Sequence, residues 1–156
     1  MVNIEYEYTI EVLKGKSIEE IPVRFQNIVS TLVEKESEDN TILNYVREKK
    51  WKEIKECRDY AETSGLPFKE SMLDYDMRSA FKLEIAKQAA ESIGEAFRID
   101  WTMKDNSTMT LTLEDLQSIP TIASIWSNSL HEKARALRER IYNTADISEI
   151  LEITWE

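Results

Sequence analysis

Alternating apolar and polar residues between positions 97 and 113 constrain the fold of this chain more than any other stretch. Every second residue is apolar in 97–103 and again in 109–113, with arginine, aspartate, lysine and threonine between. Successive side chains of a strand point to opposite faces, so this pattern predicts two strands with one apolar face. The sequence Asp-Asn-Ser at 105–107 favours a turn. We therefore predict a β-hairpin with a second, threonine-rich face.

Helical periodicity predicts three long helices, at about 41–63, 77–93 and 120–142, with Pro120 as the first residue of the last. A short alternating run at 152–155 reads as a terminal strand that can pair with the hairpin. The prediction is an α+β fold in which a small antiparallel sheet, the hairpin plus the terminal strand, packs against three long helices.

The second of these helices carries an apolar stripe at intervals of four residues. Such a stripe is typical of a face that packs on a core. Alanines elsewhere on this helix allow close packing. The stripe is formed by Met77, Phe81, Ile85, Ala89 and Ile93, and the alanines are Ala80, Ala86 and Ala90.

The N-terminal 40 residues read as a strand followed by a helix. Apolar residues alternate with glutamate and threonine from Ile4 to Val12, which predicts a strand. Helical spacing favours a helix over 23–36, with a strand at 23–29 as the competing interpretation. We predict a strand-helix addition at 1–40, joined to an α+β domain at 41–156.

An exposed edge strand at 4–12 would invite pairing with another chain, since it carries Tyr6 and Tyr8 among other large side chains. This predicts a homo-oligomer. It also makes the two tyrosines candidate interaction residues.

Composition limits the partners of the chain. The 156 residues suit one domain, and the net charge of −10 disfavours contact with nucleic acid. A net charge of this magnitude ordinarily belongs to a solvated surface. The more specific alternative is that the carboxylates imitate the phosphates of DNA. The single cysteine forms no internal disulfide, and neither a membrane span nor a signal peptide is evident. We expect a soluble protein made in the cytoplasm, without a membrane partner.

The residue types that carry most enzyme chemistry are scarce. The only histidine, His131, lies in the middle of a predicted helix, and the only cysteine is Cys57. Three glycines are too few for a phosphate-binding loop or a dinucleotide fingerprint. Paired-carboxylate hydrolysis stays open, but nothing singles out a pair among 30 acidic residues. The sequence predicts a non-enzymatic protein with no catalytic residue, cofactor or metal.

Three further residues are candidates for contact with a partner. Arg135 and Arg138 belong to a basic cluster in the last long helix, where ion pairing within the helix is the favoured interpretation and an acidic partner the alternative. Trp51 lies among lysines and is either a packing anchor or an exposed contact.

Residues 50–156 resemble an uncharacterised domain of tailed-bacteriophage and prophage tail and tail-fibre-associated proteins. The resemblance lies in the order of elements and in short motifs. These are the helix from Trp51 to Gly65, Leu73-Asp74-Tyr75-Asp76 after Phe68, the hairpin from Phe97, His131-Glu-Lys-Ala-Arg-Ala-Leu-Arg138, and Ile153-Thr-Trp155.

The resemblance implies a structural or assembly protein of a phage tail that acts through protein–protein contacts. Its partners would be tail or fibre proteins, and its location the host bacterial cytoplasm during synthesis and then the virion tail. The family supplies no catalytic residues. The alternative is an acidic phage-encoded inhibitor of a host defence or DNA-binding protein.

Overall fold

A computed structural model describes residues 3–156, which form helices joined by loops and two short hairpins. The helices are α1 (Ile4–Leu13), α2 (Val23–Asp39), α3 (Thr41–Thr63), α4 (Met77–Ile93), α5 (Leu113–Asn143) and α6 (Ile147–Glu152), with one 3₁₀ turn at Ile18–Glu20. The strands are β1 (Leu66–Phe68), β2 (Ser71–Leu73), β3 (Arg98–Thr102) and β4 (Thr108–Thr112). The predicted α+β class and its three long helices are confirmed.

The chain divides into two compact units. The first, here called the terminal unit, contains the residues up to Lys55 together with Arg135–Glu156. The second, the central unit, is Glu56–Ala134. Compact units are defined by contacts and need not be folding domains, so the division at residue 40 that the sequence suggested stays a prediction.

The predicted hairpin is present in the central unit. β3 and β4 pair antiparallel with Ile99 opposite Leu111 and Trp101 opposite Met109, so the apolar residues share one face. That face packs on the core of the unit, where Leu111 is fully buried. Asn106 adopts a left-handed φ of 66° in the turn, a conformation that asparagine tolerates better than most residues.

Two hydrogen bonds donated by Lys104 hold the shorter hairpin of the central unit in place. β1 and β2 pair antiparallel from Leu66 opposite Leu73. The backbone N–H of Lys104 donates to the carbonyl of Met72 at 2.9 Å, and the Lys104 ammonium donates to the carbonyl of Ser64. Both bonds tie the region after β3 to the segment that follows α3.

The N-terminal strand prediction is wrong, because residues 4–13 form α1. Asn3 caps this helix by accepting the N–H of Tyr6 at 3.4 Å, and Glu5 and Glu7 lie in the first turn, where the helix dipole favours acidic side chains. Glutamates at every second position imitate a strand pattern, while the buried pair Thr9 and Ile10 belongs to a helical face. The exposed edge on which the oligomer prediction depended does not exist.

The prediction of a terminal strand at 152–155 is also wrong. The Asp146 carboxylate accepts the N–H groups of Ser148 and Glu149 at 2.7 and 3.1 Å, which starts α6. This helix continues through Glu152, and the N–H of Ile153 donates to the carbonyl of Ile150 at 3.2 Å. The N–H of Ile153 is therefore not available to pair with a strand. Within residues 3–156 each sheet has two strands, and neither includes residues 152–155.

α5 begins seven residues before the predicted start at Pro120 (120 − 113). A reciprocal cap explains the difference. The N–H of Asp115 donates to Thr112 Oγ1 at 3.2 Å, and the N–H of Thr112 donates to Asp115 Oδ2 at 3.0 Å. Lys69 adds an ion pair to the same carboxylate at 2.7 Å. Pro120 lies inside the helix, without an N–H to donate.

Burial of the Asp115 carboxyl acts to raise its pKa, but the Lys69 ammonium and the bonds with Thr112 outweigh burial, so the net pKa lies below its ordinary value. We expect Asp115→Ala to lower the free energy of unfolding at pH 7 by about 1–2 kcal/mol. The contribution of Asp115 is complete above its unfolded pKa of about 4 and disappears as pH falls through the lowered folded pKa.

Urea unfolding of the wild type and of Asp115→Ala at pH 7, 5, 4 and 3 measures this effect. The stability difference should shrink toward the most acidic samples. Glu114→Ala, one residue earlier on the exposed side of α5, is the matched control and should change little. An equal loss in both variants, or a loss independent of pH, would contradict the cap.

Candidate interaction surface

The most unusual surface of the central unit is the apolar stripe of α4. Met77 is 91% exposed, Phe81 67%, Ile85 51% and Ile93 63%, and the smaller Ala89 is exposed as well. These five residues are here called the α4 stripe. Large apolar side chains exposed singly are ordinary, but a contiguous row on one helix marks a contact surface.

The opposite face of α4 packs on the core of the central unit. Leu83, Ala86 and Ala90 are buried there, at spacings of three and four residues. The expectation that the α4 stripe faces the core is therefore wrong. α4 has two apolar faces, and the alanine face allows its backbone to approach the core more closely than a row of large side chains would.

The α4 stripe is bordered by charges of opposite sign. At 100° per residue, Arg78 and Lys82 lie on one side of the stripe and Glu84 on the other. Glu84 is already paired with Lys87, at 2.8 Å, and this ion pair lowers the pKa of Glu84. An apolar centre with a polar border is the usual composition of a protein–protein contact.

Tyr6 and Tyr8, which the sequence suggested as interaction residues, are half-buried between helices of the terminal unit. The ring of Tyr6 meets Tyr45 edge-on at 5.0 Å between centroids, and Tyr8 lies 5.2 Å from Phe25. Their ring contacts thus tie α1 to α3 and to α2.

Trp51 and Arg138 were proposed separately and lie together in the terminal unit. The Arg138 guanidinium lies 5.8 Å from the centroid of Trp51 and 4.9 Å from that of Tyr142. Tyr142 donates to Glu48 at 2.5 Å. The group links α3 to α5, and a second cation, Lys55, lies 5.6 Å from the centroid of the Trp51 ring. Arg135 is exposed on α5.

A small pocket of about 190 Å³ lies between α3 and α5 within the central unit. Ser127 donates to Glu62 Oε1 at 2.5 Å, and His131 Nε2 lies 3.4 Å from the same oxygen. The indole N–H of Trp126, another lining residue, is buried without a partner. The spacing of Ser127 and His131 by four residues on α5 was the sequence signal for this group.

This arrangement differs from a serine–histidine–carboxylate triad. In a triad the imidazole stands between the hydroxyl and the carboxylate, so that it can take the hydroxyl proton. Here Ser127 and His131 both meet Glu62, and the carboxylate stands between them. The geometry holds a serine hydroxyl in place but does not present it to the imidazole.

Two kinds of site are absent from residues 3–156. No group of three or more histidine, cysteine, aspartate or glutamate side chains is placed to hold a metal ion there. None of the helices in that range is both long enough and apolar enough to cross a membrane.

Residues 45–154 match the family model described as a domain of unknown function, DUF4376. The match covers more than half of the chain, and the protein therefore belongs to this family. No curated protein and no solved structure matches it. The matched residues nearly coincide with the region of about 50–156 that the sequence assigned to an uncharacterised domain. The family description names no function, so the tail role stays a prediction.

Arg138 contacts two aromatic rings and Arg135 is exposed, so a comparison of the two tests whether the ring contacts add stability. We expect Arg138→Ala to lower the free energy of unfolding by about 0.5–1 kcal/mol, because the substitution removes the guanidinium that packs on the rings of Trp51 and Tyr142. Arg135→Ala should change it by less than about 0.5 kcal/mol. Urea unfolding followed by circular dichroism gives both values, and equal effects would show that the ring contacts of Arg138 add no stability.

Proposed function

We propose that this member of the DUF4376 family is a non-enzymatic assembly protein that acts through protein–protein contacts, with the α4 stripe as its main contact surface. The exposure of the four large apolar side chains of this stripe carries the proposal. Leaving them in water has a free-energy cost that a bound partner removes. Residues with this exposure and spacing serve as anchors when an amphipathic helix docks.

We place this assembly role in a phage tail. The support is the order of elements from Trp51 to Trp155, which resembles the domain of tail and tail-fibre-associated proteins. The expected partners are tail or fibre proteins. A net charge of −10 agrees with a protein partner rather than with nucleic acid.

The proposal predicts that a charge placed in the α4 stripe abolishes the interaction without unfolding the protein. Phe81→Asp puts a carboxylate in the middle of the stripe, at a side chain that is 67% exposed. Binding to the partner should weaken at least about 30-fold, which corresponds to the loss of one strong interface anchor. Ile125→Asp changes an equally exposed apolar residue of α5, 65% exposed, and is the matched control.

The measurement is affinity capture with the tagged chain from a lysate in which the parent phage or prophage is producing virions. Captured proteins and purified virions are then identified by mass spectrometry. Tail or fibre proteins should be captured by the wild type and by Ile125→Asp but not by Phe81→Asp. Capture of a host defence or DNA-binding protein alone would favour the inhibitor alternative and reject the tail role.

A further inference from the structure

We propose that the α4 stripe binds a second copy of this chain, with two α4 helices packed antiparallel about a twofold axis near Ile85. This inference rests on the proposed function in one respect, the use of the stripe as a contact surface. It goes further by naming a second copy as the occupant of the stripe, and a tail or fibre protein would then bind the dimer that this contact forms. The proposed dimer does not use residues 4–12, which form α1 and not an edge strand.

The first argument is the amount of apolar surface. The exposed fractions of the four large side chains correspond to about 300–550 Å² of apolar surface, at about 120–200 Å² for each whole side chain. Two copies would together bury about 600–1,100 Å². Standard interfaces bury about 1,200–2,000 Å², of which somewhat more than half is apolar. Because the row advances 40° around the helix at each step, Met77 and Ile93 flank the contact, and these areas are its upper limit. The stripe on two copies therefore supplies at most the apolar part of an interface of ordinary size.

The second argument is the shape of the stripe. Its residues form one continuous row at intervals of four, which is the ridge that helices use when they pack at about −50°. The middle of the row is Ile85. An antiparallel twofold through this residue places Phe81 of each copy opposite Ala89 of the other, a large side chain against a small one. A parallel pair would instead place Phe81 on Phe81 and leave a gap at Ala89.

The third argument is charge. On one side of the stripe lie Glu84, Gln88 and Ser92, of which Glu84 alone is charged, and Glu84 is paired with Lys87. An antiparallel pair sets each border against the same border of the other copy, displaced along the helix. Arg78 and Lys82 of one copy then lie across from the Ala86 and Ala90 end of the same border in the other copy rather than from each other. The like charges nearest the axis are the two Glu84 carboxylates, and the Lys87 ammonium of each copy offsets their repulsion.

The test is sedimentation equilibrium of the full chain from 1 to 200 µM. The wild type should approach twice the 18.3 kDa mass of one chain. Phe81→Asp should raise the dimer dissociation constant at least about 30-fold, because each dimer contains the change twice. Ile125→Asp should dimerise like the wild type, and circular dichroism should show that all variants keep their helices.

A size exchange tests the register. Phe81→Ala removes the large side chain from both copies and should weaken the dimer at least about tenfold. Adding Ala89→Phe to Phe81→Ala restores a large side chain opposite a small one, and dimerisation should return to within about threefold of the wild type. A double variant as weak as Phe81→Ala would overturn the antiparallel register.

The outcomes separate this inference from the proposed function. A monomer at every concentration overturns the dimer, and a dimer unaffected by Phe81→Asp overturns the role of α4 in it. If the monomeric wild type still captures a tail protein and Phe81→Asp does not, the proposed function stands and the inference fails. If the dimer forms as described but no phage protein is captured, the inference stands and the tail role fails.

Discussion

The close packing of α4 through small residues determines what the central unit shows to its surroundings. Ala86 and Ala90 bring the helix backbone near the core, and Leu83 fills the space beside them. Such contacts gain dispersion energy with little loss of side-chain entropy. Because α4 packs on the core with the face that carries Ala86 and Ala90, the larger apolar residues of the α4 stripe are left in water. The candidate interaction surface follows from the packing of the opposite face.

Local sequence signals predicted the elements whose ends are capped or turned. Asp76 and Asp146 cap the helices that follow them, and Ser17 with Glu20 forms a capping box. The turn at 105–107 has an Asp105 carboxylate that accepts the N–H of Ser107 at 2.9 Å. In each case the side chain that causes the feature lies within three residues of it, so the sequence alone is sufficient.

The errors lie where distant contacts decide between two locally acceptable structures. Residues 4–12 alternate as a strand would, yet they form a helix whose Tyr6 and Tyr8 rings pack against Tyr45 and Phe25. The two faces of α4 are both apolar, and periodicity cannot say which one meets the core. Trp51 and Arg138 could be singled out by type, but their contact depends on how α3 and α5 pack within the terminal unit.

The charge of the chain gives the α4 stripe its importance. Each copy carries −10, so two copies repel one another wherever acidic surfaces approach within a Debye length of about 8 Å at physiological ionic strength. Most orientations of a collision are therefore unproductive. The border of the stripe carries Arg78 and Lys82 as well as Glu84, so two stripes would meet with less repulsion than two uniformly acidic surfaces. Under the proposed function, an acidic surface with such a region would restrict association to one geometry, which is the property that an assembly protein requires.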